Sequence, residues 1–160
     1  MKFIVFILAL LIVPSYGVIA AESKKVNTLT DHEQWLKNKF NSQHTKLIPV
    51  VAVSDMLFIC NREKNNAYGK HTLNTLITKM SKERLAEKLS SCLGDESVNS
   101  DTAVNYGLLG CFHDQLSRLS KAEREEKIKL VKQAIHSLSK DERKKSFTQC
   151  VTDQSIGYLQ

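Results

Sequence analysis

The sequence has few of the residues that interrupt helices, with only two prolines (Pro14 and Pro49) and six glycines among 160 residues. It also shows little of the alternation between polar and apolar residues that marks a half-buried strand. Apolar residues instead recur at spacings of three and four, which is the period of one helix face. These features predict an all-α protein, a single helical domain of about six or seven helices.

Long hydrophobic runs are also scarce, since the only one is the eleven-residue stretch 3–13. It follows Lys2, and the small residues Ala20-Ala21 come shortly after it, which is the order of a secretory signal peptide. A membrane-spanning helix needs about 20 apolar residues, roughly twice this length. We therefore expect residues 1–21 to be a cleaved signal peptide, and residues 22–160 to form one exported all-helical domain without a membrane span.

No two of the four cysteines are close in sequence, because Cys60, Cys92, Cys111 and Cys150 are 32, 19 and 39 residues apart. Zinc sites are built on close cysteine pairs, which these spacings lack. In an oxidising compartment an even number of cysteines predicts disulfides, here two. Locality favours the pairs Cys60–Cys92 and Cys111–Cys150, although the spacing alone leaves the other two connectivities open.

The sequence contains a repeat at an offset of 58 residues, in which 80–95 aligns with 138–153 without a gap. The cysteine and three apolar positions are kept in both copies. We expect two three-helix units over about 48–95 and 102–153. The alternative is that any two amphipathic helices with a serine cap look alike. The repeat does not decide the disulfide pairing, because every connectivity is symmetric under exchange of the copies.

Three helix starts carry a capping box, a Ser or Thr followed three residues later by Glu. The three boxes are Thr30/Glu33, Ser120/Glu123 and Ser139/Glu142. Helices are also predicted from the apolar spacing, and the full set covers about 30–40, 48–62, 70–80, 81–93, 102–119, 120–138 and 139–151, followed by an irregular tail over 152–160.

The first two predicted helices differ in their apolar content. We expect Trp35, Leu36 and Phe40 to form the buried stripe of the first helix. The second is apolar around nearly its whole circumference and should be the central helix, with Pro49 in its first turn.

No catalytic or metal-binding constellation is recognisable. The five histidines include no pair three or four residues apart, and His32-Glu33 lacks the second histidine that a metalloprotease helix carries. There is no Gly-x-Ser-x-Gly motif and no glycine-rich phosphate loop. His113 and Asp114 are adjacent, and adjacent side chains on a helix point in different directions. We therefore expect a non-enzymatic protein that uses no cofactor and no metal.

Positive charge is concentrated in one stretch. Residues 118–145 contain ten Lys+Arg against five Asp+Glu, a net charge of +5 that equals the net charge of the whole segment 22–160. The residues proposed to bind an anionic partner are Lys129, Lys132, Arg143, Lys144 and Lys145. The alternative is an ordinary solvated helix face, which charged runs commonly form. Nucleic acid is disfavoured as a partner because no aromatic residue lies within the stretch to stack on bases.

These features favour a secreted, non-enzymatic effector or binding protein that engages an anionic phospholipid of the phosphoinositide kind, or an acidic protein, through a basic helical face. One alternative is a periplasmic immunity or chaperone-like protein that binds a protein partner. A second alternative is a carrier of small apolar ligands inside the helical bundle.

The leader over 1–21, the four cysteines and the helices rich in Lys, Asn and Ser together resemble a particular group of proteins. These are the small disulfide-bonded helical proteins exported by Gram-negative intracellular bacteria, such as type II secretion substrates of Legionella. The resemblance covers the whole chain but includes no diagnostic motif, so it names no site residue. It implies a secreted virulence factor that acts on a host, at host membranes.

Overall fold

A computed structural model describes residues 30–64 and 71–159 of the chain. The signal-peptide prediction for residues 1–21 lies outside the described residues. The described part contains six α-helices and no strand, which confirms the predicted all-α fold. The helices are α1 (Asp31–Glu63), α2 (Leu73–Lys79), α3 (Lys82–Leu93), α4 (Asp101–Gln115), α5 (Lys121–Ser137) and α6 (Lys140–Gly157).

All three predicted capping boxes are present, at the starts of α1, α5 and α6. In each box the Ser or Thr hydroxyl accepts a hydrogen bond from the backbone N–H of the Glu three residues later. The Glu carboxylate in turn accepts from the backbone N–H of the Ser or Thr. These bonds satisfy donors that a helix start otherwise leaves unpaired, so the three starts are specified locally.

α1 corrects the prediction of two separate helices over 30–40 and 48–62, because it is one helix of 33 residues. The polar segment 41–47 stays helical, with the Thr45 hydroxyl donating to the carbonyl of Asn41 at 2.8 Å. Pro49 lies inside the helix rather than in a first turn. Its ring removes one backbone N–H and crowds the carbonyl of Thr45, yet the helix continues through this position.

The buried stripe predicted for residues 30–40 is also wrong. Trp35, Leu36 and Phe40 are among the exposed large hydrophobic side chains of the structure. Every residue from 31 to 43 is exposed, so this half of α1 projects from the helical body. The periodicity correctly placed the apolar residues on a helix, but no other described element covers them.

The core forms where the second half of α1 packs against α2, α3, α4 and α6. Val51, Leu57 and Ile59 of α1 are almost fully buried there. The closest approach is between α1 and α4, where a Cβ added at Gly110 would lie 2.5 Å from the carbonyl oxygen of Asp55. Glycine is the one residue small enough for this contact. The contact and the burial of Val51, Leu57 and Ile59 together confirm that the segment after Ile48 is the central part of the fold.

Two disulfides join Cys60 to Cys92 and Cys111 to Cys150, as predicted from locality. The first joins α1 to α3 and the second joins α4 to α6, so each closes a group of three consecutive helices. Each bridge removes conformational freedom from the unfolded chain, an effect worth about 3 to 4 kcal/mol for loops of this length. The internal repeat itself stays a prediction.

The end of the chain differs from the predicted irregular tail. α6 continues to Gly157, six residues beyond the expected end at Val151. Gln154 and Ser155 are buried against the core, and the Gln154 side-chain amide donates to the Asp55 carboxylate at 3.2 Å. The last part of α6 is therefore buried through polar residues, so the spacing of apolar residues did not indicate that the helix continues.

Candidate functional site

An open cleft of about 1040 Å³ is bounded by α1, α2, α4 and α5. We call it the basic cleft. Its lining consists of Phe58, Ile59, Arg62, Glu63, His71, Thr72, Leu73, Asn74, Leu109, His113, Asp114, Ser117, Lys121, Arg124, Glu125, Ile128, Lys129 and Lys132.

The inner surface of the basic cleft is apolar. Ile59, Leu73, Leu109 and Ile128 belong to the buried core and contribute to the lining from four different helices. Phe58 adds a half-buried aromatic ring. A ligand in the cleft would therefore meet hydrocarbon at its inner end, where apolar contacts are favourable.

The outer wall of the basic cleft is cationic, with Lys121, Arg124, Lys129 and Lys132 from α5 and Arg62 from α1. The α5 residues reach the same cleft because their spacings of three, five and three keep them near one side of a helix. Ile128, at the centre of this run, is buried between them and the core. The apolar stripe of α5 thus fixes which of its cations point into the cleft.

Two of these five cations already have acidic neighbours. Lys132 donates to the Glu63 carboxylate at 3.0 Å, and Lys121 lies 4.0 Å from Glu125. Within residues 30–64 and 71–159, Arg62, Arg124 and Lys129 have no carboxylate at ion-pair distance. In the described part of the chain, three of the five cleft cations are thus outside any ion pair, although the carboxylates of Glu63, Asp114 and Glu125 also line the cleft.

His113 lies beside these cations in the lining of the cleft. Its ring packs edge-on against Phe58 with 5.6 Å between centroids, and Arg62 lies over the same Phe58 ring at 5.2 Å. Burial lowers the pKa of His113 to about 4, and the nearby Arg62 and Arg124 guanidinium groups add to the effect. His113 is therefore neutral at pH 7 and offers the cleft one ring donor and one ring acceptor.

His113 and Asp114, although adjacent in sequence, do not form an acid–base pair. Asp114 does not orient His113 as an acid–base partner would, because its carboxylate accepts a hydrogen bond from the Tyr158 hydroxyl at 3.0 Å. All four cysteines are in disulfides, so none supplies a thiolate. Over the described ranges, no cluster of three or more His, Cys, Asp or Glu side chains has the arrangement of a metal site.

The structure divides the five residues predicted from the sequence to bind an anion. Lys129 and Lys132 line the basic cleft, whereas Arg143, Lys144 and Lys145 lie on α6 and are absent from its lining. The Arg143 guanidinium is largely buried, contacts Asp101 at 3.3 Å and donates to the carbonyl of Leu138.

Lys144 and Lys145 are exposed, as expected for a solvated helix face. The basic cleft therefore includes two of the five predicted residues. The α5 part of the predicted surface belongs to the cleft, and Arg143 has a structural role that joins α6 to the start of α4.

Sequence reasoning missed Arg62 and the apolar lining. Arg62 lies near the end of α1, one turn after Phe58 and Ile59, where a cation resembles an ordinary last-turn residue. The helical spacing Phe58, Ile59, Arg62 was a signal that these side chains share a side of α1. Nothing in that spacing shows that α5 lies opposite.

None of the helices in the described part of the chain has the length and apolar content needed to cross a membrane. Comparison with known proteins gives no relative. No protein-family model matches the sequence, no curated protein is similar to it at a significant level, and no solved structure matches its fold.

Proposed function

We propose that the protein is an exported, non-enzymatic binding protein that engages anionic phospholipid, of the phosphoinositide kind, in the basic cleft. The observation that supports this best is the excess of five cations over three carboxylates in an apolar-lined cleft, where Arg62, Arg124 and Lys129 form no ion pair among the described residues. Phosphate esters offer the oxygens that both guanidinium and ammonium groups bind well. A headgroup at the cationic wall would leave glycerol or acyl carbon for the apolar surface.

The contribution of these cations to the binding free energy is expected to be moderate. Each Lys or Arg near an anionic bilayer contributes about 1 kcal/mol. Two such residues correspond to roughly 30-fold in affinity. Binding of this strength is reversible. It also depends on salt, because dissolved ions screen the attraction between solvent-exposed charges.

Vesicle co-sedimentation with matched double variants tests the proposal. R124Q/K129Q removes two cleft cations that have no acidic partner, and K144Q/K145Q removes the same charge from exposed positions on α6. We expect R124Q/K129Q to weaken binding to phosphoinositide-containing vesicles about 30-fold, and K144Q/K145Q to change it only slightly. Equal losses in the two variants would show that net charge, rather than the cleft, determines binding.

The pH dependence offers a second test of the same site. A phosphate in the cleft adds negative charge near His113, so the pKa of its ring should rise from about 4 when the ligand binds. A ligand that raises a pKa binds more tightly as the pH falls through that range. Titration of His113 by NMR with and without inositol phosphate measures the shift. An unchanged pKa under saturating ligand would place the anion elsewhere.

Export is part of this proposal and rests on the leader over 1–21 and on the two disulfides, which persist in oxidising compartments. A role as a virulence factor at host membranes rests on the resemblance to exported bacterial proteins. Fractionation of a producing culture into supernatant, periplasm and cells shows in which compartment the protein is found. A protein retained in the periplasm would instead favour an immunity or chaperone-like role with a protein partner.

The apolar inner surface supports a second candidate function, a carrier of small apolar ligands. Ile59, Leu109 and Ile128 give the cleft a hydrocarbon surface that headgroup binding alone does not require. Native mass spectrometry of freshly purified protein would detect a co-purified amphiphile. If the carried molecule is neutral, R124Q/K129Q should retain it, which separates this candidate from the phospholipid proposal.

A further inference from the structure

The first half of α1 presents an apolar surface that no described element covers. All residues from 31 to 43 are exposed, and the first tie to the helical body is at His44, whose ring donates to the carbonyl of Thr152 at 3.0 Å. Trp35, Leu36 and Phe40 are 53%, 47% and 44% exposed. The described residues contain only three other large hydrophobic side chains so exposed, and those are scattered on separate elements. We call residues 31–47 the projecting segment.

The apolar residues of the projecting segment lie together on one side. Leu36 and Phe40 are four residues apart, which places them on nearly the same side of an α-helix. Leu47 continues that side to the helical body, where it is partly buried against the core. Trp35 lies at one border of this stripe. Its indole ring is held there by Lys39, whose ammonium nitrogen lies 4.8 Å from the ring centroid.

The lysines of the projecting segment border that stripe on both sides. At 3.6 residues per turn, Lys39 and Lys46 fall beside Trp35 at one border, and Lys37 falls at the other. The opposite side of the helix carries Asp31 beside uncharged polar residues, such as Asn38 and Ser42. Glu33 is the only acid near the stripe.

This pattern specifies the surface that would cover the stripe. Lysines beside an apolar stripe bury their methylene stems and keep the ammonium group in water, and an aromatic residue at the border suits the boundary between hydrocarbon and headgroups. A second copy packed on the stripe would bring three lysines of each helix toward those of the other, with only Glu33 to oppose them. Anionic headgroups provide the missing counter-charge on both sides.

We infer that the projecting segment of α1 lies in the interfacial plane of an anionic bilayer, with Leu36 and Phe40 inserted among the lipids and its lysines on the headgroups. This surface is separate from the basic cleft, because Leu36 and Arg62 are about 40 Å apart along the same helix. The two sites can therefore be tested independently.

Trp35 is the only tryptophan of the protein, so its fluorescence reports on the projecting segment alone. The disulfide-bonded full chain is mixed with vesicles of phosphatidylcholine containing phosphatidylserine, with and without doxyl-labelled acyl chains. We expect a blue shift of the emission, quenching by the doxyl lipid and loss of quenching by iodide. Vesicles of phosphatidylcholine alone should give a much smaller shift.

A matched pair of variants isolates the stripe. L36Q/F40Q removes two exposed apolar side chains and keeps the reporter, and V98Q/L130Q removes two equally exposed ones elsewhere. We expect L36Q/F40Q to weaken binding to phosphatidylserine vesicles at least about tenfold, and V98Q/L130Q to leave it unchanged. Thermal unfolding should be the same for both variants and the unsubstituted protein, since none of the four positions is buried.

Several outcomes would overturn the inference. A protein that co-sediments with the vesicles while Trp35 stays open to iodide binds through another surface, which leaves the cleft proposal intact. A blue shift that grows with protein concentration without vesicles would mean that copies pair through the stripe. Conversely, a Trp35 shift that persists in R124Q/K129Q, together with unchanged phosphoinositide binding in that variant, would support the projecting segment and reject the cleft.

Discussion

The two halves of α1 belong to one continuous helix but have opposite environments. The projecting segment begins with a capping box and continues through side-chain bonds such as Gln34 to Asn38 at 3.2 Å, while Trp35, Leu36 and Phe40 stay exposed. The second half, from Ile48 to Glu63, has few polar side chains and is the most enclosed part of the fold. Local hydrogen bonds are therefore enough to extend a helix, whereas tertiary packing decides which half contributes to stability.

The largest expected difference between the two halves of α1 is in the free energy of unfolding, when one leucine of each half is truncated to alanine. Leu57 is 1% exposed, so L57A should lower the free energy of unfolding by about 3 to 5 kcal/mol through lost burial and a new cavity. L36A should change it by less than about 0.5 kcal/mol because its side chain is already in water. Denaturant unfolding of the oxidised protein measures both. Similar losses would mean that the projecting segment packs against the body in solution.

Gly110 tests how tightly the second half of α1 is held. A Cβ at this position would lie 2.5 Å from the backbone oxygen of Asp55, so G110A should force α1 and α4 apart and cost about 1 to 3 kcal/mol. Gly157 has open space around it and provides the control, since G157A should be nearly neutral. Equal stability of the two variants would contradict the close approach of the helices.

Asp55 makes the second half of α1 sensitive to pH. Its carboxyl is fully buried, and burial raises its pKa well above the usual range despite the hydrogen bond from Gln154. The folded state then binds a proton that the unfolded state releases above about pH 4, so stability should fall as pH rises from that value.

The variant D55N removes this titration while keeping an acceptor for the Gln154 amide. It should flatten the pH profile and raise stability near neutral pH by on the order of 1 kcal/mol. Thermal unfolding of both proteins between about pH 4 and pH 8 gives the comparison. Parallel profiles would indicate that Asp55 is ionised in the folded protein.

The smallest expected effect is at the junction of the two halves. Pro49 is exposed and cannot donate to the carbonyl of Thr45, so P49A restores one helix hydrogen bond while giving the unfolded chain more freedom. These contributions oppose each other, and the net change in stability should be below about 1 kcal/mol. Amide hydrogen exchange should nevertheless slow over 41–49. Faster exchange there would show that proline stabilises the junction.

The sequence predicted what depends on neighbours along the chain and missed what depends on distant packing. The capping boxes at Thr30, Ser120 and Ser139 were identifiable because both partners lie within four residues. The disulfide pairing followed from locality. Trp35 was wrongly placed in the core because helical periodicity shows which residues share a side, not whether another element covers it.

The candidate site shows the same limit. The concentration of cations between residues 118 and 145 was visible in the sequence, and Lys129 and Lys132 do line the cleft. Arg143, three residues after the start of α6, points instead to Asp101. Arg62 comes from a helix more than fifty residues earlier in the chain. Only the packing of α5 against α4 brings these distant segments to one cleft.

The placement of the disulfides determines which fragments of the chain stay covalently linked after proteolysis. One bridge closes α1 to α3 and the other closes α4 to α6, and no bridge crosses between the two groups. A single proteolytic cut in the exposed connection between Leu93 and Asp101 would leave two cross-linked fragments held only by their packing. Denaturant alone should then separate them without a reducing agent, and refolding from a mixture would allow fragments of different molecules to recombine.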